Sequence, residues 1–93
     1  MTYFVYILRL QNGHFYVGST GDLNRRLAEH RGGFGGKTTA ESPPLEMLYS
    51  ESFPDRSSAL QREHQLKRWS RAKKLALING DRERLHELAR GRT

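Results

Sequence analysis

The chain predicts an α+β fold: a small three-stranded sheet, antiparallel or mixed, flanked by helices in the order ββαβαα. Three observations carry this. Two runs rich in aromatic and branched residues flank an Asn12-Gly13 turn signal, segments with helical spacing open on capping residues, and a third strand-like run lies between them.

The first two strands span residues 3–10 and 14–20, and their register matters for chemistry. A two-residue loop at Asn12-Gly13 would put Tyr6 and Tyr16 on opposite faces of the hairpin, because side chains alternate strictly. A three-residue loop with Gly13 left-handed in a G1 bulge pairs Leu10 with His14 and Leu8 with Tyr16. The bulged form is expected. It makes Tyr6 and Tyr16 diagonal neighbours on one face and leaves Val5, Ile7, Phe15 and Val17 for the core on the other.

Asp22 precedes a short helix that ends at Gly32-Gly33, with Leu23 and Leu27 on its buried edge and Arg26 and His30 together on another face. Residues 32–44, rich in glycine and proline, read as a loop that is mobile until something binds. A third strand follows over residues 46–53. Pro54-Asp55 opens a longer helix to about Trp69 with Ala59, Leu60, Leu66 and Trp69 as its apolar members. Ser70 caps a next helix ending at Asn79-Gly80, and Asp81 caps a last one carrying Leu85, Leu88 and Ala89. Residues 90–93 form a polar tail expected to fray.

At 93 residues the chain has room for one modest core. Residues 1–80 are expected to form the main body and 81–93 a C-terminal helix and tail of the same domain. Sixteen Lys and Arg against ten Asp and Glu give a net charge of +6, which favours polyanionic partners, nucleic acid above all. There is no cysteine, so disulfides and thiolate zinc sites are excluded. Arg9 interrupts the only apolar stretch, so neither a membrane span nor a signal peptide is expected, and the cytoplasm is the expected compartment.

Glu63 lies four residues after Ala59 and three before Leu66, on or beside the core-facing stripe of its helix. A carboxylate there needs a partner. A salt bridge to Lys67 one turn on and a role as ligand to a hard divalent ion are both open from this helix alone.

Together these residues resemble the GIY-YIG nucleases, in particular small stand-alone bacterial members. Tyr6, in Phe4-Val5-Tyr6, matches the family's first signature tyrosine. Tyr16, in Tyr16-Val17-Gly18, matches the second at the family's ten-residue spacing. Arg26 falls at the helical arginine, His30 at a histidine found in some members, and Glu63 at the metal-binding glutamate. The resemblance covers about residues 3–79. The chain departs from it at Ser19, where many relatives have lysine, and at Leu75, where some have asparagine. Thr38-Thr39 also stand where an aromatic and a basic residue are expected.

The resemblance implies a divalent-metal-dependent endonuclease using Mg2+ or Mn2+ on Glu63, acting on DNA ahead of RNA and selective for structure, with DNA repair among its expected settings. Tyr6, Tyr16, Arg26 and His30 would be catalytic, with His30 taking the Tyr6 proton. A tyrosine with a pKa of about 10 is a poor base at neutral pH and needs such a helper. Lys37, Lys67, Arg68, Arg71, Lys73 and Lys74 would form a track for the phosphate backbone. The alternatives are a nucleic-acid-binding module on the same scaffold with weak or no cleavage, and an interaction protein whose basic surface serves another partner. His14, His64 and His86 show no ligand spacing and read as surface residues. No oligomeric state follows from the sequence.

Overall fold

The hairpin turn sets the geometry of the domain. In the computed structural model, which describes residues 1–90, β1 (Tyr3–Leu10) and β2 (Phe15–Thr20) pair antiparallel with Leu8 opposite Tyr16 and Tyr6 opposite Gly18. Gly13 has φ 87°, and its N–H donates to the Leu10 carbonyl at 2.9 Å while the Leu10 N–H donates to that of His14 at 2.9 Å. This is the expected bulged three-residue loop, since only glycine enters that region at no steric cost.

β3 (Pro44–Phe53) pairs antiparallel with the other side of β1, so the sheet order is β2-β1-β3 and all pairings are antiparallel. β1 is therefore central, and residues 5–8 are buried on both faces. That explains why Val5-Tyr6-Ile7-Leu8 lacks the polar alternation of a half-exposed strand. The strand expected from residue 46 begins at Pro44, opposite Leu10. An edge position tolerates Pro44 because the side lacking an N–H need not pair.

Helices cover both faces. α1 (Leu23–Arg31) lays Leu23 and Leu27 over Tyr6, Leu8 and Leu10. α3 (Arg56–Arg68) packs Ala59 and Leu66 against Val5, Ile7 and Val17, with Phe15, Tyr49, Phe53 and Trp69 around them. α4 (Arg71–Ile78) adds Leu77 and Ile78 to that second core, and α5 (Arg82–Arg90) packs on α4. Side chains such as Ile7 and Leu66, both 0% exposed, each contribute about 1.5–3 kcal/mol by leaving water.

The caps follow the sequence. Asp22, Asp55, Ser70 and Asp81 accept from the N–H groups of Arg25, Ser58, Lys73 and Arg84 at 3.0, 2.7, 3.2 and 3.0 Å. Two expectations need correction. Residues 32–44 are not loop throughout: Lys37–Glu41 forms α2, giving the order ββααβααα among the described residues. This segment is tied down, with Thr39 fully buried, the Ser42 hydroxyl accepting the Asn12 N–H at 2.9 Å, and the Pro43 carbonyl accepting that of Gln11 at 2.9 Å. Arg90 closes α5 instead of starting a tail, and residues 91–93 lie outside the described residues.

Candidate active site

The two tyrosines share the α1 face of the sheet, as the bulged register requires. Tyr6 is 2% exposed, and its hydroxyl lies over Gly18 on the neighbouring strand. A methyl group at Gly18 would overlap that hydroxyl and reach within 2.6 Å of Cζ. The glycine of the second motif is therefore the floor on which the first motif's phenol rests.

α1 brings Arg26 and His30 to the same place, because residues four apart share a helix face. His30 Nε2 is 2.9 Å from the Tyr6 hydroxyl, and the imidazole lies edge-on to both tyrosine rings, with centroids 5.9 Å from Tyr6 and 5.1 Å from Tyr16. The Arg26 guanidinium faces the Tyr6 hydroxyl while donating to Glu29 Oε1 at 3.1 Å and to the Gly35 carbonyl at 3.1 Å. Arg26 thus makes the ion pair an ordinary surface arginine would make, and also faces the phenol.

The electrostatics follow from this packing. Burial pushes the Tyr6 hydroxyl above its ordinary 10.0, with the neighbouring Arg26 pulling against that. Burial, then the Arg26 charge, holds His30 below its ordinary 6.5. A histidine near a helix C-terminus gains from the helix dipole when charged; here burial wins, and His30 is neutral at pH 7. The contact between Tyr6 and His30 therefore joins a phenol to an uncharged imidazole.

Glu63 comes from α3, on the opposite side of the sheet, and reaches β2 at Ser19. Its carboxylate accepts from the Ser19 hydroxyl at 2.6 Å and pairs with Lys67 Nζ at 2.8 Å, with 12% of its side chain exposed. Burial pushes this carboxyl up, but the Lys67 and Ser19 bonds outweigh it and hold the carboxyl below its ordinary 4.5. Ser19 follows Gly18 directly, so the carboxylate is anchored one residue from the glycine under Tyr6, and its charge is felt at the Tyr6 hydroxyl.

Among the described residues, no group of three or more His, Cys, Asp or Glu forms a ready cage for a metal ion. The donor set at Glu63 fits a hard divalent cation in a more limited way. It offers one ionised carboxylate, whose Lys67 counter-ion is 53% exposed. The remaining ligands would be water and substrate oxygens.

The basic residues do not form one uniform track. Lys37, Lys67 and Arg68 are exposed, although Lys67 neutralises Glu63. Arg71 stacks on Phe15 with its Cζ 4.1 Å from the ring centroid and donates to the Gly13 carbonyl at 2.9 Å. Lys73 Nζ sits 4.4 Å above Trp69. Lys74 is half-buried, and burial followed by the Arg71 charge lowers its pKa. A hollow of about 630 Å³ lined by Arg68, Trp69, Lys73, Arg84 and neighbours lies near α5 and contains none of the five matched residues. His14, His64 and His86 are exposed, as expected.

Two participants could not be found by motif. Thr39 Oγ1 lies 2.8 Å from His30 Nδ1, and Gly35 packs flat against that imidazole, where a methyl group would overlap Nδ1 and sit 2.6 Å from Cε1. Nothing in the nine-residue separation of His30 and Thr39 signals the contact. The only hint is the Gly35-Gly36 pair that allows close approach.

A three-stranded antiparallel sheet with two tyrosines, an arginine and a histidine on one face and a helical glutamate at its edge defines a known class. The chain belongs to the GIY-YIG family, whose catalytic-domain model matches residues 2–76. Within that family it is similar to small proteins named UPF0213. One, from Xanthomonas axonopodis pv. citri, is 43% identical over 83 residues, covering 89% of this chain and 81% of the relative. The solution NMR structure of the UPF0213 protein of Bacillus halodurans is similar with a TM-score of 0.55 and 34% identity, covering 96% of this chain and 98% of that one. A second solution NMR structure, of a protein from E. faecalis, has a TM-score of 0.59 and 32% identity, covering 86% and 85% of the two chains. Family membership implies nuclease-type chemistry on a nucleic-acid substrate. Among the described residues, no helix is long and apolar enough to cross a membrane.

Proposed function

We propose that the protein is a divalent-metal-dependent endonuclease that hydrolyses phosphodiester bonds in DNA and selects substrates by structure. The observation that carries this reading is the buried contact between the Tyr6 hydroxyl and His30, beside the Arg26 guanidinium.

In this reading Tyr6 is the general base. Its oxygen takes a proton from the attacking water as its own proton passes to neutral His30 Nε2, so a phenol with a raised pKa need not ionise beforehand. Arg26 is never deprotonated and would stabilise the negative charge growing on the phosphate. Tyr16, beside the same imidazole, hydrogen-bonds the water or a phosphate oxygen. Glu63 would hold Mg2+ or Mn2+, which when bound neutralises charge on the phosphate and the leaving oxygen. Lys37, Lys67, Arg68 and the partly exposed ammonium groups of Lys73 and Lys74 would grip the backbone without sequence preference, with Arg71 holding that face in place. So small a surface favours recognition of structure or ends over a long sequence.

A second reading is favoured by one contact. Lys67 already satisfies Glu63, which suits a nucleic-acid-binding module with weak or no cleavage. Plasmid and branched-DNA substrates with Mg2+ or Mn2+ separate the two, using wild type beside Glu63→Ala and Tyr6→Phe. The endonuclease reading expects a loss of about 100-fold or more in each variant. Equal nicking by all three refutes it. Salt-sensitive DNA binding without cleavage by wild type supports the binding module.

A further inference from the structure

The loop expected to be mobile instead delivers one side chain to the back of the site. We propose that Thr39 is a positioning residue whose buried hydroxyl fixes His30 with its proton on Nδ1, leaving the Nε2 lone pair aimed at Tyr6. Its catalytic consequence rests on the reading of Tyr6 and His30 given above; the tautomer itself does not.

Counting protons leads to this assignment. Thr39 Oγ1 is 2.8 Å from His30 Nδ1 and 3.4 Å from the Gly36 carbonyl, and both His30 and Thr39 are 0% exposed. If Nδ1 carries the proton, it donates to Thr39, the Thr39 hydroxyl donates to the Gly36 carbonyl, and the Tyr6 hydroxyl donates to Nε2. Every proton then has an acceptor. If Nε2 carried it instead, the Thr39 hydroxyl would donate to Nδ1 and Tyr6 would accept from the imidazole. The Tyr6 proton would then lose its acceptor, since His30 is the side chain its hydroxyl bonds and the nearby Arg26 can only donate. A buried hydroxyl proton without a partner keeps its full desolvation penalty, so the first arrangement wins. Which ring nitrogen of a histidine is protonated is commonly set by the bond that the other one makes.

The local backbone is built for this delivery. Gly36 has φ 142°, a conformation that favours glycine, and it turns the chain into α2. Gly35 allows that turn to lie against the imidazole, as a side chain there could not. The Gly36 carbonyl also accepts the Ala40 N–H at 3.0 Å, so the last acceptor in the relay is held by the helix it starts. The proton step balances. A water O–H breaks and a new Tyr6 O–H forms; the old Tyr6 O–H breaks and Nε2–H forms, leaving an imidazolium whose Nδ1–H still points at Thr39.

The test is the protonation of His30 read by two-bond 1H–15N correlation in protein labelled at histidine, at neutral pH without metal or DNA. Wild type should show Nε2 unprotonated. Thr39→Val should move the proton wholly or partly to Nε2, and Thr39→Ser should restore the wild-type pattern. Cleavage by T39V should fall about 10- to 100-fold, as when the hydrogen-bond partner that orients a metal-bound histidine is removed, with T39S recovering most of it. Should T39V lose its fold, Thr39→Ala gives the same comparison with less side chain to accommodate. An Nε2–H tautomer in wild type, or an unchanged tautomer in T39V, overturns the proposal. A tautomer that shifts as expected in a protein that cuts no DNA upholds the positioning role and removes the endonuclease reading.

Discussion

Substituting Gly18 by alanine adds one methyl group, and the structure says where it goes. The new carbon would lie 2.6 Å from Tyr6 Cζ, about 1 Å inside the ~3.5 Å optimum for two carbons. A free tyrosine would swing aside at little cost. Tyr6 is not free: it is 2% exposed, held between Leu23 and Leu27 of α1 and the sheet, and bonded at its tip to His30. Overpacking of this kind costs about 1–3 kcal/mol, and a broken buried hydrogen bond adds about 1–3 kcal/mol. The sum, about 2–6 kcal/mol, is a large share of the roughly 5–14 kcal/mol expected for a domain of 93 residues. Thermal unfolding followed by circular dichroism should show Gly18→Ala melting at least about 8 °C below wild type. Its histidine NMR spectrum should show His30 released from Tyr6. A variant that melts within about 2 °C of wild type with His30 unchanged would refute the packing of Tyr6 over Gly18.

Two further outcomes follow from the same geometry. His30 is held below its ordinary 6.5 by burial, with Arg26 adding to that effect, so below pH 6.5 the unfolded chain takes up a proton that the folded chain refuses. The stabilising contribution is present above 6.5 and is lost as pH falls from there through the lower value of the folded state; Glu29, the acidic neighbour, opposes this least among the causes. Urea midpoints at pH 7 and pH 5 should therefore drop in wild type and change much less in His30→Gln, a window above the range where Glu63 and Asp55 titrate. Arg71→Ala should lose about 1–2 kcal/mol by urea unfolding, because it removes both the stacking on Phe15 and the bond to Gly13; Arg71→Lys should recover little of it, since lysine lacks the planar fork.

Local chemistry made much of this molecule legible. Gly13 announced the bulge that puts Tyr6 and Tyr16 on one face, and four side-chain caps marked four helix starts. The unreadable parts depend on tertiary contact. Lys37–Glu41 is too short to be a helix on its own, and it forms where Thr39 finds His30 and Ser42 finds Asn12. Arg71 reads as one more charge in a basic run until the fold brings Phe15 beneath it. Glu63 sits between the two readings because it keeps the salt bridge of a structural carboxylate and lies beside the motif of a functional one. Ser19, a departure from the family in sequence, becomes the hydroxyl that anchors Glu63.

The strand order β2-β1-β3 also governs how the molecule is born. Of the three strands the middle one is made first and can close at once only with β2, so its other edge waits until residues 44–53 have been synthesised. The backbone groups on that edge then wait for a segment more than thirty residues downstream, with Leu8 paired to Met47 and Leu10 to Pro44. Interrupting synthesis between Arg31 and Pro44 would leave a hairpin with one unpaired edge, the kind of surface that chaperones hold and that sticks to its own copies.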